Sequence, residues 1–262
     1  MTRKILRTVH SVRYAALALI LALCILVPVA AEISDATVIT LNGNKVKADA
    51  PGVYVKGSVV TITLPGEYLL KGNLSNGQII VDCEQRGKVR LYLGGVSIHC
   101  GNGPALYIKE SAPRLTIELV EGTDNKLSDG KKYADEDLTG VIYSKSDLTI
   151  TGTGSLTVTG SYKNGIVSKD DLRIKGGKIN VQAVNNGISG KDCVEIYDGE
   201  IVIKAGNDGI KSTNEEPGMG YISMEGGTVE ITCGDGPLSY VLGLRITGGS
   251  ILTTKDPSLK TK

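Results

Sequence analysis

The sequence contains no tryptophan and no phenylalanine, and its 11 tyrosines bring the aromatic share to only 4%. A sugar platform built on indoles is thereby excluded, so any ring that stacks on a ligand must be a tyrosine. Histidine is almost as scarce. His10 falls in a basic leader and leaves His99 alone, which argues strongly against a histidine-based triad or a multi-histidine zinc site. His99 reads as a surface residue at a strand end. No cysteine pair has CxxC spacing. Cys24 lies in the leader, and Cys83, Cys100, Cys193 and Cys233 remain, a number that permits two disulfides in an exported protein. Cys233 aligns with Ala183 and Ala205, where a small buried side chain is wanted, so buried free thiols are the expectation. An excess of positive charge is missing too. Arg3, Lys4, Arg7 and Arg13 account for four of the 29 basic residues against 28 acidic ones. The processed chain is thus slightly acidic, about −3, and offers no basic field for nucleic acid.

Long apolar runs are confined to residues 15–27, behind the basic head and ahead of the small residues Val29 and Ala31. This is the pattern of a secretory signal cleaved after Ala31. Thirteen apolar residues fall short of the ~20 that span a bilayer, and Cys24 follows Leu23 where a lipoprotein signal needs a small residue. The expected product is a soluble, monomeric protein, secreted or at the cell surface, that meets a membrane only through its signal during export.

What the sequence does have is a period. Residues 164–183 read NGIVSKDDLRIKGGKINVQA, residues 186–205 read NGISGKDCVEIYDGEIVIKA, and a third copy, DGIKS, opens at Asp208. The anchors Gly165, Gly187 and Gly209 are 22 residues apart, as are Gly177 and Gly199. A fixed period of this size marks a solenoid. Gly236 comes 27 residues after Gly209, and the surplus matches a polar loop at residues 214–220. Within a rung, segments 172–174, 179–181, 194–196 and 201–203 alternate apolar and polar residues between Gly-Gly or Asp-Gly breaks, which is strand chemistry. With the short Gly-Ile segment they give three strands per rung, and thus an all-β parallel β-helix. A leucine-rich repeat is set aside, because its spaced Leu and Asn ladder are missing. The expected organisation is a signal at 1–31, a β-rich N-terminal cap at 32–75 covering the open end of the stack, and the β-helix at 76–262. The acidic stretch 121–139 reads as a loop outside the core and a possible cation site.

The strings GPALYIKESAPRLTIELVEGTDNKLSDG and GVIYSKSDLTITGTGSLTVTGSYKNGIVSKDDLRIKGG, followed by NNGISGKD and NDGIKS, resemble the clostridial-type carbohydrate-binding β-helix family across roughly residues 66–251. The resemblance implies a right-handed parallel β-helix, export, bound calcium and binding of plant polysaccharide such as cellulose or polygalacturonate (pectin). The chain also resembles calcium-dependent pectate lyases of the same fold. Its last repeat departs from the pattern, reading DGPLS from Asp235.

In such a fold each repeat position becomes a column with rungs ~4.8 Å apart. One column holds Asn164, Asn186, Asp208 and Asp235; another holds Asp170 and Asp192. Calcium takes six to eight oxygen ligands, which neighbouring rungs of the two columns would supply together. Equally, Asn-Gly and Asp-Gly form turns, with stacked amides bonding along the column. Lys145, Lys169 and Lys191 form a third column. In a uronate lyase, Lys169 or Lys191 would be the base that removes the proton beside a calcium-neutralised carboxylate; otherwise lysines there are solvated and guard a strand edge. Tyr143, Tyr162, Tyr197 and Tyr221 lie in the repeats, and Tyr143 and Tyr162 with Lys145 and Lys169 are the candidate sugar contacts. The resulting expectation is a secreted, non-catalytic, calcium-containing polysaccharide-binding protein. A pectate-type lyase and a structural adhesion protein are the alternatives.

Overall fold

Alternation of Ile, Val or Leu with polar residues puts one apolar row on the inner face of every strand, and glycine-rich corners bend the chain so that those rows meet. The outcome is a β-solenoid of about eight stacked parallel coils. The computed structural model describes residues 33–110 and 114–260. The described residues from Thr37 onward form one compact unit; the expected signal at 1–31 lies outside the described residues. Among the described residues no helix is long and apolar enough to cross a membrane.

The unit opens with β1 (Thr37–Gly43), β2 (Lys45–Lys47) and β3 (Val53–Lys56). The coils begin at β4 (Val59–Ile62) with β5 (Gly66–Leu74), followed by β6 (Gln78–Asp82) with β7 (Val89–Cys100). The third coil is β8 (Leu106–Glu110), β9 (Leu115–Leu119) and β10 (Asp124–Asp129); the fourth is β11 (Gly140–Ser144), β12 (Leu148–Gly152) and β13 (Ser155–Gly160). Next come the pairs β14 (Asn164–Ser168) with β15 (Asp171–Ala183) and β16 (Ile188–Gly190) with β17 (Cys193–Ala205). The last two coils are β18 (Ile210–Ser212), β19 (Tyr221–Met224) and β20 (Thr228–Cys233), then β21 (Leu238–Ser239), β22 (Gly243–Ile246) and β23 (Ser250–Lys255), with a 3-10 turn at Pro257–Leu259. Each coil thus has a short first side, a second side and a third side. First sides build the nine-stranded sheet; second and third sides build the 14-stranded sheet.

Stacking is parallel and in register. Ile98, Leu127, Val158, Val181, Ile203 and Ile231 follow one another up the third side, each no more than 2% exposed. Burying a side chain of this size stabilises by roughly 1.5–3 kcal/mol, so the column is a large part of what holds the stack. The anchor glycines answer to this column. A Cβ on Gly165 would sit 2.3 Å from Val181 Cγ1, and one on Gly187 2.3 Å from Ile203 Cγ2 and 2.7 Å from the Gly209 carbonyl oxygen. The period is therefore set by close approach of the first side to the third.

At the N-terminal end β2 pairs antiparallel with β1, and β3 antiparallel with β4, so hairpins cover the exposed edge as expected. Coiling starts before residue 76, however, because β1 already stacks parallel on β5 and β4 on β6. A second correction concerns residues 121–139. Part of that stretch is the strand β10, whose Asn125, Leu127 and Asp129 are buried. Asn125 Oδ1 accepts the amides of Gly95 and Val96, both at 3.0 Å, which makes a polar residue acceptable inside. The remainder folds back over the outside of the first-side sheet, where Tyr133 and Leu138 pack with Tyr143 and Val167. Cys83, Cys100, Cys193 and Cys233 are buried free thiols, and Cys233 pairs in register with Ala205.

Candidate functional site

The corner between first and second sides is drawn tight by inward serines. Ser144 and Ser168 both donate through Oγ to the Ser146 carbonyl, at 2.6 and 2.9 Å, and Ser212 donates to the Lys191 carbonyl at 3.2 Å. With the serines turned in, the next residues point out. Lys169 and Lys191 donate their amides to Ser144 and Ser168 of the preceding coil, so Lys145, Lys169 and Lys191 do form a column, and all three are exposed.

Beside that column the structure gathers acids. Asp147, Asp170 and Asp171 each place a carboxylate oxygen within 4.8 Å of the others. Burial, the hydrogen bond with Asp192 and the charges of Asp147, Asp192 and Asp171 push the Asp170 carboxyl up to about 6. Asp192 in turn accepts from Asn214 Nδ2 at 2.6 Å. Arg173 lies against the group, pairing with Asp171, with Asp147 at 3.3 Å and with Glu195 at 2.8 Å. Burial alone would weaken its charge, but the acids more than offset that and hold the guanidinium firmly protonated. Several oxygen donors and a carboxyl strained by accumulated negative charge suit a hard divalent cation. Asp147 and Asp171 were missed from sequence, although DLTI and DLRI align them.

The other acid and amide column behaves differently. Asn164 and Asn186 are buried, each 8% exposed. Asn164 Oδ1 accepts from the Asn186 amide and from Asn185 Nδ2, both at 3.0 Å; Asn186 Oδ1 accepts from the Asp208 amide at 3.1 Å and from Asn207 Nδ2 at 3.2 Å. Asp208 continues the ladder to the Gly236 amide at 3.3 Å and pairs with Lys211 at 2.7 Å. Asp235 ends it, held below the usual carboxylate range by Lys260 and Lys255. These oxygens already face N–H donors, and the length of a first-side strand separates them from Asp170 and Asp192. The structure thus does not bring the two columns together.

The tyrosines are also redistributed. Tyr143 is 4% exposed, with its ring edge-on to Tyr107 at 6.0 Å, and offers no free face. Tyr162 stacks on Tyr133 at 4.4 Å and has Lys163 Nζ over its ring at 4.7 Å. Tyr197 and Tyr221 instead stand on the outer face of the second side, both donating to Glu195, at 3.2 and 2.9 Å, and Lys175 Nζ lies 5.3 Å from the Tyr197 ring centre. Beyond them the bend between second and third sides forms an open groove of ≈ 610 Å³, with Lys175, Lys178, Asp198 and Glu200 on its walls and glycines on its floor. A Cβ on Gly152 in that floor would come 2.2 Å from the Leu119 carbonyl oxygen. From acid corner to groove the surface thus presents carboxylates, a guanidinium, tyrosines, then mixed charges, a donor and acceptor array suited to a hydroxyl- and carboxyl-rich chain.

Comparison with known proteins agrees with this chemistry. A model of the family described as carbohydrate-binding domain-containing protein matches residues 56–261. A carbohydrate-binding domain-containing protein of Acetivibrio thermocellus is 46% identical over 220 residues, covering 81% of this chain and 77% of that protein. Among solved structures, the polysaccharide lyase-like protein from C. thermocellum, as a gadolinium derivative, superposes with a TM-score of 0.75 at 38% identity, covering 84% of this chain and 95% of the other.

Proposed function

The chain belongs to the carbohydrate-binding domain-containing protein family, and from that premise we propose that it is a secreted, non-catalytic binder of plant-type polysaccharide, cellulose or polygalacturonate, that uses calcium. The observation that carries this reading is the meeting of the Asp147, Asp170 and Asp171 carboxylates at the head of the Arg173, Glu195, Tyr197 and Lys175 strip. Calcium, when bound, supplies positive charge and open positions for sugar oxygens. Arg173 holds Asp147 and Asp171 in place and adds a fixed cation for uronate groups. Tyr197 and Tyr221, oriented by Glu195, give a sugar ring an apolar edge and a hydroxyl to bond. The basic, apolar and small-residue order of residues 1–31 supports export.

A second reading is favoured by the likeness to the solved polysaccharide lyase-like protein. In it, Lys169 or Lys191 would act as the base on a calcium-bound uronate. Chelator-stripped protein is to be titrated with calcium in a calorimeter, then retained on cellulose and on pectin with and without the ion. Binding near the 10⁻⁴–10⁻³ M range of extracellular calcium modules, with ion-dependent retention lost in Asp170→Asn, is the expected result. No calcium uptake sinks the ion-bridged reading, and ultraviolet-absorbing unsaturated product from polygalacturonate replaces it with the lyase. Absence of both product and retention leaves the structural adhesion alternative.

A further inference from the structure

The first-side sheet carries its own concavity, far along the sequence from the acid corner. Outward positions of β4, β6 and β8 align Thr61, Ile80 and Tyr107, and the segment after β10 stands over them as a wall. The cleft measures ≈ 500 Å³, within the range of small-molecule sites. Ile80 and Tyr107 make an apolar floor. Gln78, Asn102, Asp135 and the Asp82–Lys109 ion pair, 3.1 Å long, make a polar rim.

Its geometry is fixed in advance. Tyr107 is braced edge-on by buried Tyr143, so its ring plane is set. Gln78 Nε2 donates to the Pro104 carbonyl at 2.7 Å, which orients the amide and keeps Oε1 as an acceptor. The wall is tied down twice. Ala134 donates its amide to the Asn102 carbonyl at 2.9 Å, and the Tyr133 hydroxyl lies 2.7 Å from Asp129 Oδ2 and 3.0 Å from the Gly140 carbonyl. Preorganised walls reduce the ordering cost of binding.

We propose that this cleft is a second glycan site, taking one neutral pyranose of a polysaccharide against the Tyr107 ring. An aromatic face ringed by amides and carboxylates matches a sugar ring, which is apolar on its C–H face and hydroxylated around its edge. Charge selects among sugars. Asp82 and Asp135 outweigh Lys109, so a uronate carboxylate meets net repulsion there, whereas neutral hydroxyls find both donors and acceptors. The site works without a cation and does not rest on the calcium-bridged reading, so one chain would hold an acidic and a neutral polymer on two sheets.

Affinity electrophoresis in excess chelator through hydroxyethyl cellulose and through a galactomannan tests this. Wild-type protein is to be retarded by at least one of them. Tyr107→Ala is expected to weaken retardation several-fold to about tenfold, and Tyr107→Phe to keep it. Ala134→Trp, at an exposed position on the wall, fills the cleft and abolishes retardation, which decides the matter should Tyr107→Ala fold poorly by circular dichroism. In excess chelator the acid corner holds no ion, so retardation by neutral glycan under these conditions reports on the cleft, while ion-dependent retention on polygalacturonate reports on the acid corner, and the two sites fail separately. Free migration of the wild type in both neutral glycans, or wild-type retardation of Ala134→Trp, overturns the proposal.

Discussion

Replacing Asn186 with alanine separates a structural ladder from a cation site. Asn186 Oδ1 accepts from the buried Asp208 amide and from the Asn207 side chain. Truncation leaves the Asp208 amide without an acceptor, at about 1–3 kcal/mol, and removes a net ~1 kcal/mol from the Asn207 contact, which water can partly replace. The expected loss is about 2–4 kcal/mol. For a domain of this size each kcal/mol moves the midpoint by about 2–4 °C, so Tm should fall on the order of 10 °C. Thermal unfolding by circular dichroism, in chelator and again in calcium, is the assay. The ladder predicts the same fall in both. Asn186→Asp should lose less, about 1 kcal/mol, because it keeps the acceptor while setting a second carboxylate one coil from Asp208. If Asn186→Ala melts like wild type in chelator and differs only when calcium is present, the oxygen serves an ion and the ladder argument is refuted.

Two further outcomes follow from the same structure. Asp170 has a folded-state carboxyl raised to about 6 from an ordinary 3.8, so its neighbours favour the protonated form and wild-type stability drains away as pH rises from about 4 through 6. The ceiling is ~3 kcal/mol, and solvent screening of a half-buried group reduces it to about 1. Asp170→Asn should therefore melt higher than wild type at pH 7.5 in chelator and lower in millimolar calcium; a variant that melts lower in chelator contradicts the reasoning. Gly187→Ala drives a Cβ against Ile203 and the Gly209 carbonyl and should cost about 3 kcal/mol, while Gly243→Ala, with nothing within 4 Å of the added atom, should be near neutral in urea unfolding. Equal midpoints for the two would show that the first side can shift.

The coil and its period were legible because inward Val and Ile and their partner glycines recur at fixed spacing. β10 escaped notice because Asn125 and Asp129 occupy inward positions, so the apolar alternation that marks a strand is broken there; the asparagine is explained by the Gly95 and Val96 amides it accepts and by the Ser155 carbonyl to which it donates. Tyr143 looked available for the opposite reason. It sits at an outward position, and what buries it is the chain after β10 folding back, with Tyr133 and Leu138 packed against it. The acid corner was half visible. Asp170 and Asp192 stood out beside the anchor repeat, but Asp147 and Asp171 resemble ordinary turn residues until Arg173 is seen drawing them together from the strand face.

Stacking joins residues such as Asn164 and Asn186 that are only 22 positions apart, and each coil touches chiefly the one before and the one after. Assembly of such a chain needs few distant encounters, so a nucleus formed in any pair of coils can grow outward one turn at a time. The same neighbour-only wiring governs failure. A lesion in one turn does not loosen the whole molecule evenly but fractures the column at that point, leaving two shorter stacks of unequal strength. For a protein pulled between a surface and a polymer, the weakest turn, rather than the total number of turns, would decide where it gives way.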